Sequence, residues 1–91
     1  MKISKEKKDK ISEQILAFLF AHSPKSLFTF YIAKEIARDD EFVRELLEEL
    51  KKKGLVSEIK KNSEGVPYQR RTRWKLSDKA YSAYKAASNI N

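Results

Sequence analysis

Between Thr29 and Lys75 the chain sets two short amphipathic segments in series, stops the second at a glycine, and then alternates polar with apolar residues. In the second segment Val43, Leu46, Leu47 and Leu50 recur at i, i+3, i+4 and i+7. That spacing gathers them on one face of a helix. Asp39 or Asp40 is placed to cap its start, and Asp40 and Glu41 suit the positive end of its dipole. Lys51, Lys52 and Lys53 fall in its last turn, and Gly54 stands where a left-handed residue ends a helix. Ile32, Ala33, Ile36 and Ala37 give the preceding segment, residues 30–37, a small apolar face that suits close helix crossing. Thr29 is its expected N-cap.

After Gly54 the period changes to two. Residues 55–61 and 68–76 read as strands, joined by the polar loop 62–67. On the return strand Thr72, Trp74 and Leu76 share one face and Arg71, Arg73 and Lys75 the other. One side is built to dock on a core and the other to meet solvent or a ligand. Trp74 shares its face with Leu76 and is read as core, although Trp74 and Tyr68 also have the chemistry to stack on bases.

The flanks complete the unit. Lys5–His22 reads as a helix with Ile11, Ile15, Phe18, Leu19 and His22 on one face, widened by Leu16 and Phe20. Lys7, Lys8 and Lys10 lie where the dipole disfavours cations, so the first turn is expected to fray or to be held by a partner. Ser23-Pro24 ends this helix. Residues 26–29 suit a small strand paired with the later hairpin. Ser77 is placed to cap a last helix, Asp78–Ser88, with Ala80, Tyr81, Tyr84 and Ala87 inward. The 91 residues make one domain, with residues 1–6 and 89–91 expected to be flexible.

Charge narrows the function. The net charge is +7, from 20 cations and 13 anions, and it is unevenly spread. Residues 38–50 hold six acids against two arginines, whereas Arg70, Arg71, Arg73 and Lys75 put four cations within six residues. On a protruding hairpin such a cluster has the character of a set of phosphate contacts, and a basic balance favours polyanionic partners. There is no cysteine, so disulfides and cysteine-based zinc sites are excluded and a cytoplasmic location is expected. His22 is the sole histidine. At the end of an apolar helix face it reads as structural, and no metal site or cofactor is expected. The chain lacks a glycine-rich phosphate loop and a nucleophile–histidine–acid set, so it is not expected to be an enzyme. The longest apolar run, residues 15–21, is too short to span a bilayer, and no signal peptide is expected.

Residues 29–85 resemble the winged helix-turn-helix domains of small prokaryotic and archaeal transcription regulators. Tyr31-Ile32-Ala33-Lys34-Glu35-Ile36-Ala37 matches the first helix of the motif. The stretch from Phe42-Val43-Arg44-Glu45-Leu46-Leu47 through Lys53-Gly54-Leu55-Val56 matches the recognition helix and its exit into the wing. Trp74-Lys75-Leu76-Ser77-Asp78-Lys79-Ala80 is similar to the strand end before the C-terminal helix, with Ala80 where the family often has Gly. The resemblance implies an α+β fold: helices 1–3, a two- or three-stranded antiparallel wing, and a C-terminal helix.

It also implies sequence-specific or semi-specific binding of double-stranded DNA by a transcription regulator. The recognition helix would lie in the major groove and the wing on the backbone or minor groove. Carried onto this chain, the expected contacts are Arg44, Arg70, Arg71 and Arg73, then Lys34, Lys60 and Lys61. Arg44 is the one early cation on the recognition helix able to bond a guanine in two places. Glu45, Glu48 and Glu49 are expected to pair with Lys51, Lys52 and Lys53 on a solvated face. Winged helices also serve as protein-interaction modules in larger transcription, replication or division assemblies, and the acidic face of helix 3 favours that alternative. Residues 15–21 are apolar on nearly every side of helix 1, so a homodimer through helix 1, and possibly the C-terminal helix, is expected.

Overall fold

The computed structural model describes residues 4–60 and 72–88. In chain order the elements are α1 (Lys5–His22), β1 (Leu27–Phe28), α2 (Thr29–Ile36), α3 (Asp40–Lys52), β2 (Val56–Ile59), β3 (Arg73–Leu76) and α4 (Asp78–Ser88). The strands form one antiparallel sheet in the order β1-β3-β2. The short strand expected at residues 26–29 is therefore the third member of the sheet. Its register pairs Leu27 with Trp74 and Phe28 with Arg73.

Several helix boundaries have a local cause. Ser4 accepts from the Lys7 amide at 3.3 Å and starts α1, with Glu6 in the favourable first turn. Asp39 caps α3 through Oδ2, which accepts from the Glu41 and Phe42 amides at 3.1 and 3.2 Å. Gly54, at φ +77°, ends α3, and the Leu55 amide reaches back to the Leu50 carbonyl at 2.9 Å. Ser77 accepts from the Ala80 amide at 3.1 Å at the head of α4.

Two expectations about α2 are corrected. Thr29 is its first residue and not its cap, and Phe28 at the cap position makes no side-chain cap bond. The Thr29 hydroxyl has a different partner, the buried indole of Trp74. Ala37 is not on the inner face. It is the exposed C-cap at φ 57°, and the Arg38 amide closes on the Ala33 carbonyl at 3.0 Å. The sharp turn into α3 thus uses a left-handed alanine where glycine would avoid a cost of about 1 kcal/mol.

The core lies between α1, α2, α3 and the inner sheet face. Ile15, Leu19, Ile32, Val43, Leu47 and Trp74 are at most 1% exposed. Trp74 is therefore a core residue, and base stacking by it is ruled out. α1 packs on α2, α3 and β3 within one chain. Much of its apolar circumference is covered internally, leaving Glu13, Gln14, Ala17 and Ala21 exposed. The last helix is less buried than its pattern predicts. Only Ala80 is buried, Tyr84 is partly so, and Tyr81 and Ala87 are exposed. The reason is that α4 rests mainly on β3 and on Phe20, whose ring lies 5.6 Å from Tyr81 and 5.4 Å from Tyr84.

Candidate nucleic-acid interface

Burying Val43, Leu46, Leu47 and Leu50 leaves the opposite side of α3 to water. Glu41, Arg44, Glu45, Glu49 and Lys52 are exposed there and Glu48 is half-buried. Arg44 is thus accessible on the first half of the helix, between Glu41 and Glu45. Lys34 is exposed on α2, which packs directly on α3.

The sheet supplies the second part. In the register, Val56 faces Leu76, Ser57 faces Lys75, Glu58 faces Trp74 and Ile59 faces Arg73. Opposed residues share a face, so Val56, Glu58, Trp74 and Leu76 point inward. Ser57, Ile59, Arg73 and Lys75 point outward. Over Arg73–Leu76 the predicted alternation is present, with Trp74 and Leu76 buried and Arg73 and Lys75 half-buried, while Thr72 lies before the strand and residues 68–71 lie outside the described residues.

Arg73 is more enclosed than a solvated phosphate contact. Its guanidinium lies 5.8 Å from the centroid of the Phe28 ring, which stacks at 5.9 Å on Phe30. An open recess of about 540 Å³ brings Arg73 together with His22, Lys25, Ser26 and Tyr31. Lys25 was not among the sequence candidates. It joins Arg73 only because β1 lies beside β3, which no local pattern announces. His22 has a structural role: Nδ1–H donates to the Phe18 carbonyl at 3.0 Å and the ring packs edge-on against Phe18.

Lys60 is exposed at the end of β2 and lies 3.7 Å from the Glu58 carboxylate. Lys61, Arg70 and Arg71 lie outside the described residues. The described candidates thus fall into two groups, Lys34 and Arg44 on α2 and α3, and Lys60 and Arg73 on the sheet.

The expected pairing on α3 is only partly present. Among the described residues, Lys51 is the one helix lysine that bridges to an acid of α3, Glu48, at a loose 3.9 Å. Its close partner is across the junction on β2: Lys51 Nζ donates to Glu58 Oε1 at 2.6 Å. That hydrogen bond, with the two carboxylate charges, holds the Lys51 ammonium above its usual pKa of 10.5 despite some desolvation. Sequence spacing within a helix could not reveal a pair seven residues apart that depends on the chain turning back. Glu41, Glu45 and Glu49 make no ion pair within 4 Å with a described cation, and Glu49 shares a recess with Lys5, Lys8 and Lys53.

No family model matches the sequence, and no curated protein does. Solved structures do. Over 91% of its length the chain matches the Staphylococcus aureus MepR–DNA complex, at TM-score 0.72 and 25% identity, covering 65% of that chain. A further structure of MepR, a transcription regulator of the multidrug efflux pump MepA, matches over 93% of this chain and 67% of its own, at TM-score 0.64 and 26% identity. Lactococcus lactis ZitR, as an apo mutant, matches over 91% of this chain and 58% of its own, at TM-score 0.69. With 20% identity, ZitR bears on the fold alone. The chain spans about two thirds or less of the length of these proteins. Four helices and a three-stranded antiparallel sheet, in this order and with these neighbours, make the chain a winged helix-turn-helix domain.

Proposed function

We propose that this domain binds double-stranded DNA as part of a cytoplasmic transcription regulator, acting by occupying a promoter site. The observation that carries the reading is the fold shared with MepR, which has been solved on DNA. In the proposed complex the first half of α3 enters the major groove with Arg44 toward the bases. Arg70, Arg71 and Arg73, then Lys60 and Lys61, would meet the backbone or minor groove, and Lys34 would add a contact from α2. Residues 1–91 act as one winged-helix domain in this reading. An anisotropy titration with a labelled duplex at low salt is the test. Saturable binding supports the proposal, and no binding refutes it.

The alternative, a protein-interaction winged helix, is favoured by one observation: Glu41, Glu45 and Glu49 stand exposed on α3. Each carboxylate near phosphates weakens a DNA complex. Binding to a basic partner in the absence of any duplex binding would select this alternative.

The working form we propose is a twofold dimer. Because α1 is largely covered within one chain, the support comes chiefly from the ledge of Phe20, Tyr81 and Tyr84 along α1 and α4, with Tyr81 38% exposed. A closed dimer would set two recognition helices about one DNA turn apart. Light scattering at micromolar concentration decides: twice 10.6 kDa supports the dimer and 10.6 kDa rejects it.

A further inference from the structure

The connection from α3 to the wing is short and turns on a glycine. Residues 53–55 link the two, and Gly54 sits at φ +77° with nothing within 4 Å of where a side chain would begin. The link is tied at one end, where the Ser77 hydroxyl donates to the Gly54 carbonyl at 2.8 Å and the Ser77 amide to the Leu55 carbonyl at 3.0 Å. Val56 is buried, and the rest of β2 is only partly covered. Opposite Glu58 in the register, Trp74 ties β3 to the interior. On β2 the tie at this level is ionic, since the Glu58 carboxylate meets Lys51 of α3 at 2.6 Å.

The pair differs from an ordinary surface bridge. The Glu58 side chain is only 8% exposed, whereas Lys51 is 44% exposed. Glu58 faces inward beside Trp74, so its carboxylate is confined by the sheet and α3. A confined carboxylate deprived of its cation is costly, so Lys51 is not readily surrendered to a passing phosphate. Lys60, at 3.7 Å, adds a second cation from the wing side. Among the described residues, every ion pair within 4 Å includes Lys51 or Glu58.

We propose that Glu58 is a positioning residue for DNA binding: held by Lys51, it fixes the angle between the recognition helix and the wing. The inference rests on the DNA-binding reading above. Helix and wing must reach two adjacent features of one duplex together, and a wing that swings loses affinity in being ordered on binding. The sign of the effect is distinctive. Glu58→Ala raises the net charge by one above +7, and charge alone would then tighten binding to a polyanion. A positioning role requires the reverse.

The test has two arms, run on the parent, Glu58→Ala, Lys51→Met and the double variant. In the first, residual dipolar couplings of the free protein report the relative orientation of α3 and the sheet. One alignment tensor should fit both elements in the parent, and separate tensors should be needed in the variants. In the second, duplex affinity at fixed salt should fall about tenfold in Glu58→Ala and in Lys51→Met, with no further loss in the double variant. Glu58→Gln, which can still accept from Lys51, should recover part of the loss. Equal or tighter binding by Glu58→Ala overturns the inference and makes Glu58 a competitor of phosphate instead. A single tensor in all variants overturns it too. Failure of the parent itself to bind duplex overturns the DNA-binding reading and the positioning role with it, while the couplings still report whether the brace exists. Should Glu58→Ala not fold, Lys51→Met, at an exposed side chain, decides the first arm, and Glu58→Gln, which also raises the net charge, decides the second: weaker binding than the parent supports the inference, and equal or tighter binding overturns it.

Discussion

The indole Nε1–H of Trp74 donates to the hydroxyl of Thr29 at 2.8 Å, joining residues 45 positions apart. Thr29 opens α2, and Trp74 lies in the middle of β3 at 0% exposure. The bond therefore ties the first helix of the helix-turn-helix to the central strand of the wing sheet. It also satisfies the one polar atom of the largest core side chain, which no water can reach.

Thr29→Val keeps the shape of the side chain and removes the acceptor. A buried indole N–H without a partner costs about 1–3 kcal/mol, so Thr29→Val should lower unfolding stability by that amount and Thr29→Ser by much less. Urea denaturation followed by the fluorescence of the single tryptophan measures both. Equal stability of Thr29→Val and the parent would show that the bond contributes nothing.

On α3 the exposed acids should not aid DNA binding. The Glu45→Gln, Glu48→Gln double variant removes repulsion from phosphates and should bind a duplex as well as the parent or better. Arg44→Ala should blunt discrimination between sites, since a good two-point contact to a base contributes about 1–3 kcal/mol. Competition titrations with point-mutated duplexes measure both effects. Loss of affinity and of cytosine preference in the Gln variant would mean that these carboxylates read bases.

Tyr84 gives a pH signature. Burial, and then the nearby Glu13 charge, raise its hydroxyl above the usual 10.0. A raised folded-state value stabilises the protonated form in the native protein. That contribution is complete below pH 10.0 and is lost as pH rises through the folded value. Melting temperature should therefore fall above pH 10, and Tyr84→Phe should lose less than the parent over the same interval. Identical alkaline slopes would show that Tyr84 plays no part.

The helices were largely legible in the sequence because each carries its own punctuation. Ser77 and Gly54 mark ends by local chemistry, and Lys5–His22 and Asp78–Ser88 fall as the apolar period and flanking residues require. The alternation of β3 likewise revealed which face Trp74 takes. What could not be read is what depends on distant segments meeting. Thr29 looks like a cap until β3 brings an indole to it. Lys51 looks like a partner for Glu48 until β2 folds back with Glu58. The left-handed Ala37 escaped because alanine does not announce that conformation. The inner face assigned to α4 overshot because Tyr81 meets the Phe20 ring with one side and stays 38% exposed, and Ala87 is exposed. Arg73 was legible as an outward residue but not as one packed over Phe28, and Lys61, Arg70 and Arg71 fall outside the described residues.

The measurement closest to the central claim is the salt dependence of duplex binding, for the parent and for an Arg70→Ala, Arg71→Ala variant. Arg73 is left in place because it packs on Phe28, so its removal would mix the loss of charge with the loss of packing. Log affinity of the parent should fall linearly with log salt. The variant should bind about tenfold more weakly or worse, with a slope shallower by about 0.9 for each phosphate it no longer neutralises. A parent slope near zero, or parent and variant lines that coincide, would contradict a wing that grips the DNA backbone.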